Sequence, residues 1–450
     1  MICSAAIVLL QTVLFYYVLF CHYNYLLAAP LDSGGYLMVV LYAAIIVLIF
    51  KTMGALRVGH NKKSNIIISH VISILFTDFM TYIQLSLIHR AFMNPVPFII
   101  ILVVQIVISF VWTIVASGIH EKYIPKKNLI LVYADKTADK FVYKMLERED
   151  MYCIRESVRY KKATYNDNDN IEEVKQRIKD YESILICGLE SSARNDLLKY
   201  CYENNKEVYL PPRISDIIIR CAQPIEQFDT PLVLCKGASL TATQLIIKRI
   251  IDIIVSIFGI IVLSPVLAII ALAIKLYDGG PVLYKQKRVT IDEKIFEIYK
   301  FRSMVVDAEK NGVIPAEDND PRITPVGKII RAVRFDELPQ LFNILKGEMS
   351  VVGPRPERIE HHELYTSQIP EFPYRTKVKA GLTGYAQVMG KYNTVPYDKL
   401  LLDIEYIQNF SFFLDFKIIL LTVKVIFMKE STEGFKNNKK SKGDKHEKDN

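Results

Sequence analysis

Cysteine is missing from everything after residue 235: the seven cysteines stand at 3, 21, 153, 187, 201, 221 and 235, with no CxxC pair among them. That absence excludes a cysteine zinc site or a thiol nucleophile from everything after residue 235, and the thiols present are expected to be reduced and to face the cytosol. A basic leader before the first apolar run is missing too, and further apolar runs follow, so the start reads as a spanning helix and not as a cleaved signal peptide. Glycine is absent from Ala134-Asp135-Lys136-Thr137-Ala138, a turn where a dinucleotide site would need it for the backbone to approach a pyrophosphate. Lysine and arginine are absent from the loop around Asp32, which places that loop away from the cytoplasm.

What is present divides the chain into two regimes. With 51% hydrophobic residues and a mean hydropathy of +0.20 it is too apolar for an ordinary soluble enzyme, while 23% charged residues exclude a purely embedded protein. The net charge of +8 suits an anionic lipid or substrate, although residues 436–450 hold six lysines against three acids and read as a disordered, solvated tail. Four apolar runs come first, about residues 5–29, 36–50, 66–88 and 96–119. A span needs roughly 20 mostly apolar residues, which the second run reaches only if extended. Lys51, Arg57, Lys62 and Lys63 follow the second run and Lys122, Lys126 and Lys127 the fourth, so both ends of the bundle are expected in the cytoplasm. Asp78, Gln84 and His89 are read as groups that hydrogen-bond helix to helix, not as a transport pathway.

From Asn128 onward, short β-rich runs (Leu129 to Tyr133, Tyr152 to Tyr160, Ile184 to Cys187, Val208 to Leu210) alternate with helical stretches, which predicts a small α/β domain with a parallel sheet. Ile250 to Ile274 is then long enough to span a bilayer, but Ser264-Pro265 falls in its middle. Proline removes a hydrogen bond and clashes with the carbonyl four residues back. A sharp bend there leaves a first arm of about 21 Å, short of the roughly 30 Å hydrocarbon core. Cations stand on both sides, Lys248 and Arg249 before and Lys275, Lys285, Lys287 and Arg288 after. The segment is therefore expected to enter and return, with Ser264 bonding the carbonyl that Pro265 frees, and everything after residue 276 is expected in the cytoplasm. Ser411 to Met428, apolar but interrupted by Asp415, Lys417 and Lys424, reads as a fifth span or, as those charges favour, a helix lying in the membrane interface.

The stretch Val333 to Asn343 holds two adjacent carboxylates, Asp336 and Glu337. The same residues read as helix capping, with Asp336 as N-cap, Glu337 in the first turn, Pro339 early and Gly347 past the end. Between Pro281 and Pro356 stand thirteen Lys or Arg against eleven acids, so placement and not bulk basicity carries the argument. Arg355 lies between two prolines that fix its backbone, and Lys300-Phe301-Arg302 sets cations around an aromatic. Rigid arginines suit bidentate phosphate recognition. The basic residues singled out for phosphate are Lys300, Arg302, Arg322, Arg334 and Arg355. A helix start would favour both an ionised Asp336 and a bound phosphate. Neighbouring helical residues point apart, so the carboxylates take separate roles: Asp336 as nucleophile on phosphorus, Glu337 as ligand of Mg²⁺.

At this point the chain resembles the bacterial polyprenyl-phosphate glycosyl-1-phosphate transferases, the large monotopic phosphoglycosyl transferases. The resemblance runs from about Gln244 to Met428 and rests on ordered blocks: Ser264-Pro265, Lys300-Phe301-Arg302-Ser303-Met304, Asp320-Pro321-Arg322-Ile323-Thr324, Asp336-Glu337-Leu338-Pro339-Gln340, Gly347-Glu348-Met349-Ser350, Gly353-Pro354-Arg355-Pro356 and Gly381-Leu382-Thr383-Gly384. It implies transfer of a sugar 1-phosphate from a UDP-sugar to undecaprenyl phosphate, through a covalent phosphosugar on Asp336, with Mg²⁺ at Glu337 and release of UMP, as the first membrane step of exopolysaccharide, O-antigen or capsule synthesis. Two departures stand out: Val289 to Lys294 has no glycine where many members do, and Pro325 stands where a basic residue is common.

The expected fold is a membrane α-helical bundle (1–122), an α/β, Rossmann-like middle domain (127–236) and a mainly α, monotopic catalytic domain (244–430) with a re-entrant helix (248–276), ending in the disordered basic tail (431–450). The expected setting is the bacterial inner membrane, with the catalytic domain on the cytoplasmic side. Partners are a UDP-sugar, undecaprenyl phosphate and lipid, with a homodimer left open and no nucleic acid. Two other classes compete: a non-catalytic assembly or regulatory protein of the polysaccharide machinery, against which the intact Asp336-Glu337 counts, and a membrane-bound nucleotide-sugar dehydratase, against which the glycine-free turn counts.

Overall fold

The computed structural model describes residues 2–23, 33–135, 137–162, 170–225, 229–235, 237, 240–306, 308, 320–390 and 394–428. The tail 431–450 and the loop around Asp32 lie outside these. The chain divides into two compact units, residues 1–213 and 214–450.

The first unit opens with four helices, α1 (Ile2–His22), α2 (Ser33–Met53), α3 (Lys63–His89) and α4 (Val96–Tyr123). All four are long and apolar enough to cross a membrane. The second is longer than its apolar run suggested because the helix continues through Lys51 and Thr52. Apolar side chains exposed along α4, such as Val103, Val107 and Val111, are what a lipid-facing helix shows, whereas its polar positions point inward. Asp78 does join helix to helix: Tyr42 donates to its Oδ1 at 3.0 Å and itself accepts from Gln105 Nε2 at 2.8 Å. Gln11 extends the set to α1 through Ser109 at 3.1 Å.

An α/β domain follows, built from β1 (Lys127–Tyr133), α5 (Thr137–Leu146), β2 (Tyr152–Arg159), α6 (Ile171–Ile178), β3 (Ser183–Cys187), α7 (Ser191–Glu203) and β4 (Glu207–Tyr209). Its sheet is parallel throughout, in the order β2-β1-β3-β4. Successive side chains leave a strand on opposite faces. Ile130 and Val132 accordingly join α6 and α7 in one core, while Leu131 meets α5 in another. Both faces are covered, which is why the strands read as continuous apolar runs.

The second unit begins with α8 (Ile214–Arg220), β5 (Gln223–Ile225) and β6 (Leu232–Leu234). The 127–236 boundary had grouped these with the sheet, but α8 packs elsewhere. Its Ile217 is buried with Phe372, Leu400 and Ile404, and Arg220 pairs with Glu405 at 2.8 Å. Next comes α9 (Ala242–Asp278), started by a capping box between Thr241 and Gln244 and ended at Gly279 in the left-handed region, φ 69°. The two arms expected around Pro265 form one helical element of 37 residues, about 55 Å long. Ser264 Oγ donates to the Ile261 carbonyl at 2.8 Å, the acceptor that Pro265 leaves free, so the helix continues through the proline.

One stripe of α9 is buried against this unit along most of the helix. Lys248 pairs with Asp415 at 2.5 Å, Arg249 donates to the carbonyls of Ile344 and Leu345 at 2.5 and 2.7 Å, and Asp252 accepts from Ser350 Oγ and Val351 N at 3.0 and 2.9 Å. Near the other end, Ile270 and Ile274 pack on Phe301 and Ile330. The opposite stripe, including Ile254, Phe258, Ile261, Ile269 and Leu272, is exposed.

The remaining elements are β7 (Leu283–Val289), β8 (Ile295–Phe301), α10 (Pro325–Ala332), α11 (Gln340–Lys346), β9 (Ser350–Val352), α12 (Ile359–Gln368), β10 (Gly381–Thr383), α13 (Tyr385–Met389), α14 (Pro396–Gln408) and α15 (Phe412–Ile426). β7 and β8 form an antiparallel hairpin, β9 and β10 a short parallel pair. α15 turns two of its three charges inward. Asp415 is taken by Lys248 and Lys424 is buried, so two of the three charges that suggested an interfacial helix are not displayed at a lipid surface; Lys417 is half-buried.

Candidate active site

Lys300 is an inward lysine. Along β8 the parity that buries Phe296 and Ile298 also turns Lys300 toward the interior, where an ammonium needs a counter-charge. Glu337 supplies it, accepting from Lys300 Nζ at 2.7 Å on Oε1. The same oxygen accepts from Arg355 Nη2 at 2.8 Å, and no other hydrogen bond to Glu337 is found among the described residues, which leaves Oε2 open. The two residues ahead of Glu337 are turned by an irregular backbone. Arg334 sits at φ 57°, in the left-handed region that a long side chain seldom adopts, and a 3-10 turn, Phe335–Glu337, follows.

The expectation of Asp336 as N-cap therefore fails, although Gly347 does end α11 in the left-handed region, φ 88°. Residue Arg334 caps the short turn, Pro339 caps α11, and Asp336 lies between them. It makes no hydrogen bond or ion pair among the described residues, so no N-terminal amide stabilises its charge. Burial pushes the Asp336 carboxyl above its usual value, with Lys300 pulling it down and Glu337 pushing it up. Burial also raises Glu337, but there Arg355 and Lys300 outweigh it and hold the carboxyl well below the usual range. Neighbouring carboxylates driven apart in this way are suited to different tasks. Glu337 stays anionic, while Asp336 is the more basic, unencumbered oxygen pair and hence the better nucleophile.

Two devices bring these segments together. Asn343, fully buried on α11, accepts from Tyr299 N at 2.9 Å and donates to Glu297 O at 2.7 Å, so its amide satisfies the open edge of β8 and docks the carboxylate segment beside Lys300. The Arg355 loop is held by close backbone contact. A Cβ on Gly353 would come within 2.3 Å of Lys379 O, and one on Gly381 within 2.1 Å of Gly353 N. Only glycine permits that approach, which lets Gly353 N donate to Thr383 O at 2.8 Å and Gly381 N to Pro354 O at 2.9 Å. The two glycine blocks thus meet across β9 and β10.

Of the five basic residues singled out, three act on the carboxylates. Lys300 and Arg355 touch Glu337, and Arg334 feels Arg355, Glu337 and Asp336 after burial has lowered it. Arg302 instead pairs with Asp278 at the end of α9. Arg322 forks onto Asp320, with Nε to Oδ1 at 2.9 Å and Nη2 to Oδ2 at 2.6 Å. Both have their charge answered locally, and neither contacts the carboxylates in the bonds described for it.

Several residues escaped the sequence reading. Arg331 contributes to the field on Asp336, and its place five residues upstream gave no signal beyond one more surface cation. Arg375, only 4% exposed, lies under the Arg355 loop: it pairs with Asp403 at 2.8 Å and Glu357 at 3.3 Å and donates to Arg355 O at 2.9 Å. Nothing in Phe372-Pro373-Tyr374-Arg375 marks that role. A hard divalent cation fits the pair of adjacent carboxylates with an open Glu337 Oε2, but no group of three His, Cys, Asp or Glu exists among the described residues. Such an ion would need substrate phosphate oxygens to complete its shell.

Residues 243–429 match the model of a family described as bacterial sugar transferase. A UDP-glucose:undecaprenyl-phosphate glucose-1-phosphate transferase of Klebsiella pneumoniae is 44% identical over 206 residues, 45% of this chain and 44% of the relative. A UDP-N-acetylgalactosamine-undecaprenyl-phosphate N-acetylgalactosaminephosphotransferase of Aeromonas hydrophila is 44% identical over 183 residues, 40% and 43% of the two chains. A UDP-glucose:undecaprenyl-phosphate glucose-1-phosphate transferase of Caulobacter vibrioides is 41% identical over 181 residues, 39% of this chain and 68% of the relative. The chain spans about half the length of the first two curated relatives it matches.

Proposed function

Since this chain belongs to the bacterial sugar transferase family, we propose that it transfers a sugar 1-phosphate from a UDP-sugar to undecaprenyl phosphate, releasing UMP. The observation that carries the reading is the unequal pair: Glu337 fixed by Lys300 and Arg355, Asp336 beside it without a hydrogen bond or ion pair among the described residues, and raised. Asp336 attacks the phosphorus that bears the sugar, the bond to the bridging oxygen breaks, and UMP leaves. An oxygen of undecaprenyl phosphate then attacks the same phosphorus, displaces the aspartate and forms the lipid diphosphate sugar. Lys300, Arg334 and Arg355 meet the negative charge on the phosphates. Glu337, with Asp336 adjacent, would hold Mg²⁺ together with substrate oxygens, and the ion would neutralise phosphate charge. The names of the relatives support the donor and acceptor classes. Membranes holding the protein, incubated with radiolabelled UDP-sugars, undecaprenyl phosphate and Mg²⁺, are expected to release UMP and pass label to lipid; no UMP from any sugar tried would overturn the reading.

The setting we propose is the inner membrane, with the second unit on the cytoplasmic side. A spanning α9 would need hydrocarbon around its whole girth, yet Lys248, Arg249 and Asp252 near one end and Ile270 and Ile274 near the other pack on one polar unit. An exposed apolar stripe with a protein-covered stripe behind it suits entry into one leaflet. Cysteines introduced at the exposed Thr243 and Tyr277 are expected to react with a membrane-impermeant maleimide from the same side; opposite sides would mean that α9 spans.

A further inference from the structure

We propose that Arg288 is an anion-binding residue, which beside Arg355 and Arg358 receives a phosphate group of a substrate. Its guanidinium is tied to the segment carrying Arg355: Nη1 donates to Pro356 O at 3.1 Å, the next residue's amide, Val289 N, donates to Glu357 O at 3.1 Å, and Arg288 bridges Arg358 as a strand pair. Its other partner is Gln286 Oε1, which Nη2 reaches at 2.6 Å. Both acceptors are neutral. Its Nε is buried without a partner, and no carboxylate pairs with it among the described residues. The acid whose field does reach it, Glu357, is engaged by Arg375 at 3.3 Å.

A half-buried guanidinium beside two others, with no carboxylate of its own, is an arrangement that repels itself until an anion arrives. The electrostatics point the same way: burial first, then Arg355 and Arg358, bring Arg288 down to about 10, with Glu357 and the Tyr284 phenol opposing them. Lys300 differs, because its charge is answered by Glu337 at 2.7 Å. Arg355 divides its surroundings, with Glu337 at its guanidinium and the backbone next to Arg288 a residue away. A phosphate beside Arg288 would therefore lie close to the one under attack, and both the leaving nucleotide and the acceptor lipid bring one. This inference rests on the function proposed above for its choice of phosphate, but its test does not need turnover.

The full-length protein in phosphatidylglycerol-containing nanodiscs is to be titrated with UMP and with inorganic phosphate, as wild type, Arg288→Met and Arg288→Lys, alongside the KM for UDP-sugar and for undecaprenyl phosphate. Arg288→Met is expected to weaken UMP or phosphate binding about tenfold or more, with partial recovery in Arg288→Lys. A raised KM for the UDP-sugar with weaker UMP binding identifies the nucleotide phosphate, and a raised KM for the lipid identifies the acceptor phosphate. Unchanged UMP and phosphate affinities and unchanged KM values in folded Arg288→Met, or, if Arg288→Met does not fold, a loss in neither affinity nor KM for a folded Arg288→Gln, would overturn the proposal and leave Arg288 as a strut for Pro356. Arg288-dependent UMP binding by a protein that turns over no UDP-sugar would instead defeat the proposed function and leave this inference standing.

Discussion

Asp336→Asn is expected to abolish turnover, by about 10³-fold or more, while leaving the fold intact. The substitution keeps shape and removes the one property that attack on phosphorus requires, a carboxylate lone pair on a group able to leave again. Asp336 makes no hydrogen bond or ion pair among the described residues, and burial disfavours its charge, so the neutral amide is expected to change stability by less than about 0.5 kcal/mol. Two measurements separate loss of chemistry from loss of structure. The thermal midpoint should hold, and wild type given labelled UDP-sugar without acceptor lipid should carry label on the protein, whereas Asp336→Asn should carry none. A variant that still turns over normally would move the nucleophile elsewhere. Because the carboxyl of Asp336 is raised, protonation blocks attack as pH falls through a value above that of an ordinary aspartate, so the acid limb of kcat/KM should be displaced upward from that of an ordinary aspartate. Glu337 sits too low to account for it.

Arg375→Met carries the second large effect, this time on stability. The guanidinium is 4% exposed and answers one buried carboxylate, Asp403, and one half-buried, Glu357, while holding the Arg355 carbonyl. Removing one side of a buried ionic group costs about 3–5 kcal/mol, because the remaining charge stays desolvated and unpaired. The pH dependence has a definite sign. Burial sets the Asp403 carboxyl at about 6, above its ordinary 3.8, against the pull of Arg375, so in wild type its contribution declines as pH rises through that interval. Glu357 is held low, burial being outweighed by Arg375, Lys399 and Arg355, and it contributes stability that is lost as pH falls. Without Arg375 both carboxyls rise, and ionising them becomes unfavourable. The deficit of the variant in chemical denaturation should therefore widen from pH 5 to pH 8. A deficit that is constant across that range, or below about 1 kcal/mol, would show that the network does not anchor the loop.

The linear chain by itself determined the partition into apolar helices, a parallel α/β domain and a polar remainder, because period and length are properties of short stretches. It also marked Asp336, Glu337, Lys300 and Arg355, whose residue types speak for themselves, and it supplied the acceptor for Ser264, since the carbonyl freed by Pro265 is fixed by counting back four residues. Adjacency in sequence misled where the backbone turns irregularly. Asp336 looked like a cap, but Arg334 at φ 57° and the 3-10 turn shift the helix start to Pro339. Residue type alone did not tell that Arg302 is answered by Asp278, 24 residues back, and Arg322 by Asp320, two residues back. The tertiary structure alone decided which cations share a carboxylate, that Asn343 completes a strand edge, and that Arg375 lies under Arg355. Those facts depend on contacts between residues far apart in the chain, and a charge acquires its role from whatever packing leaves within a few ångströms of it.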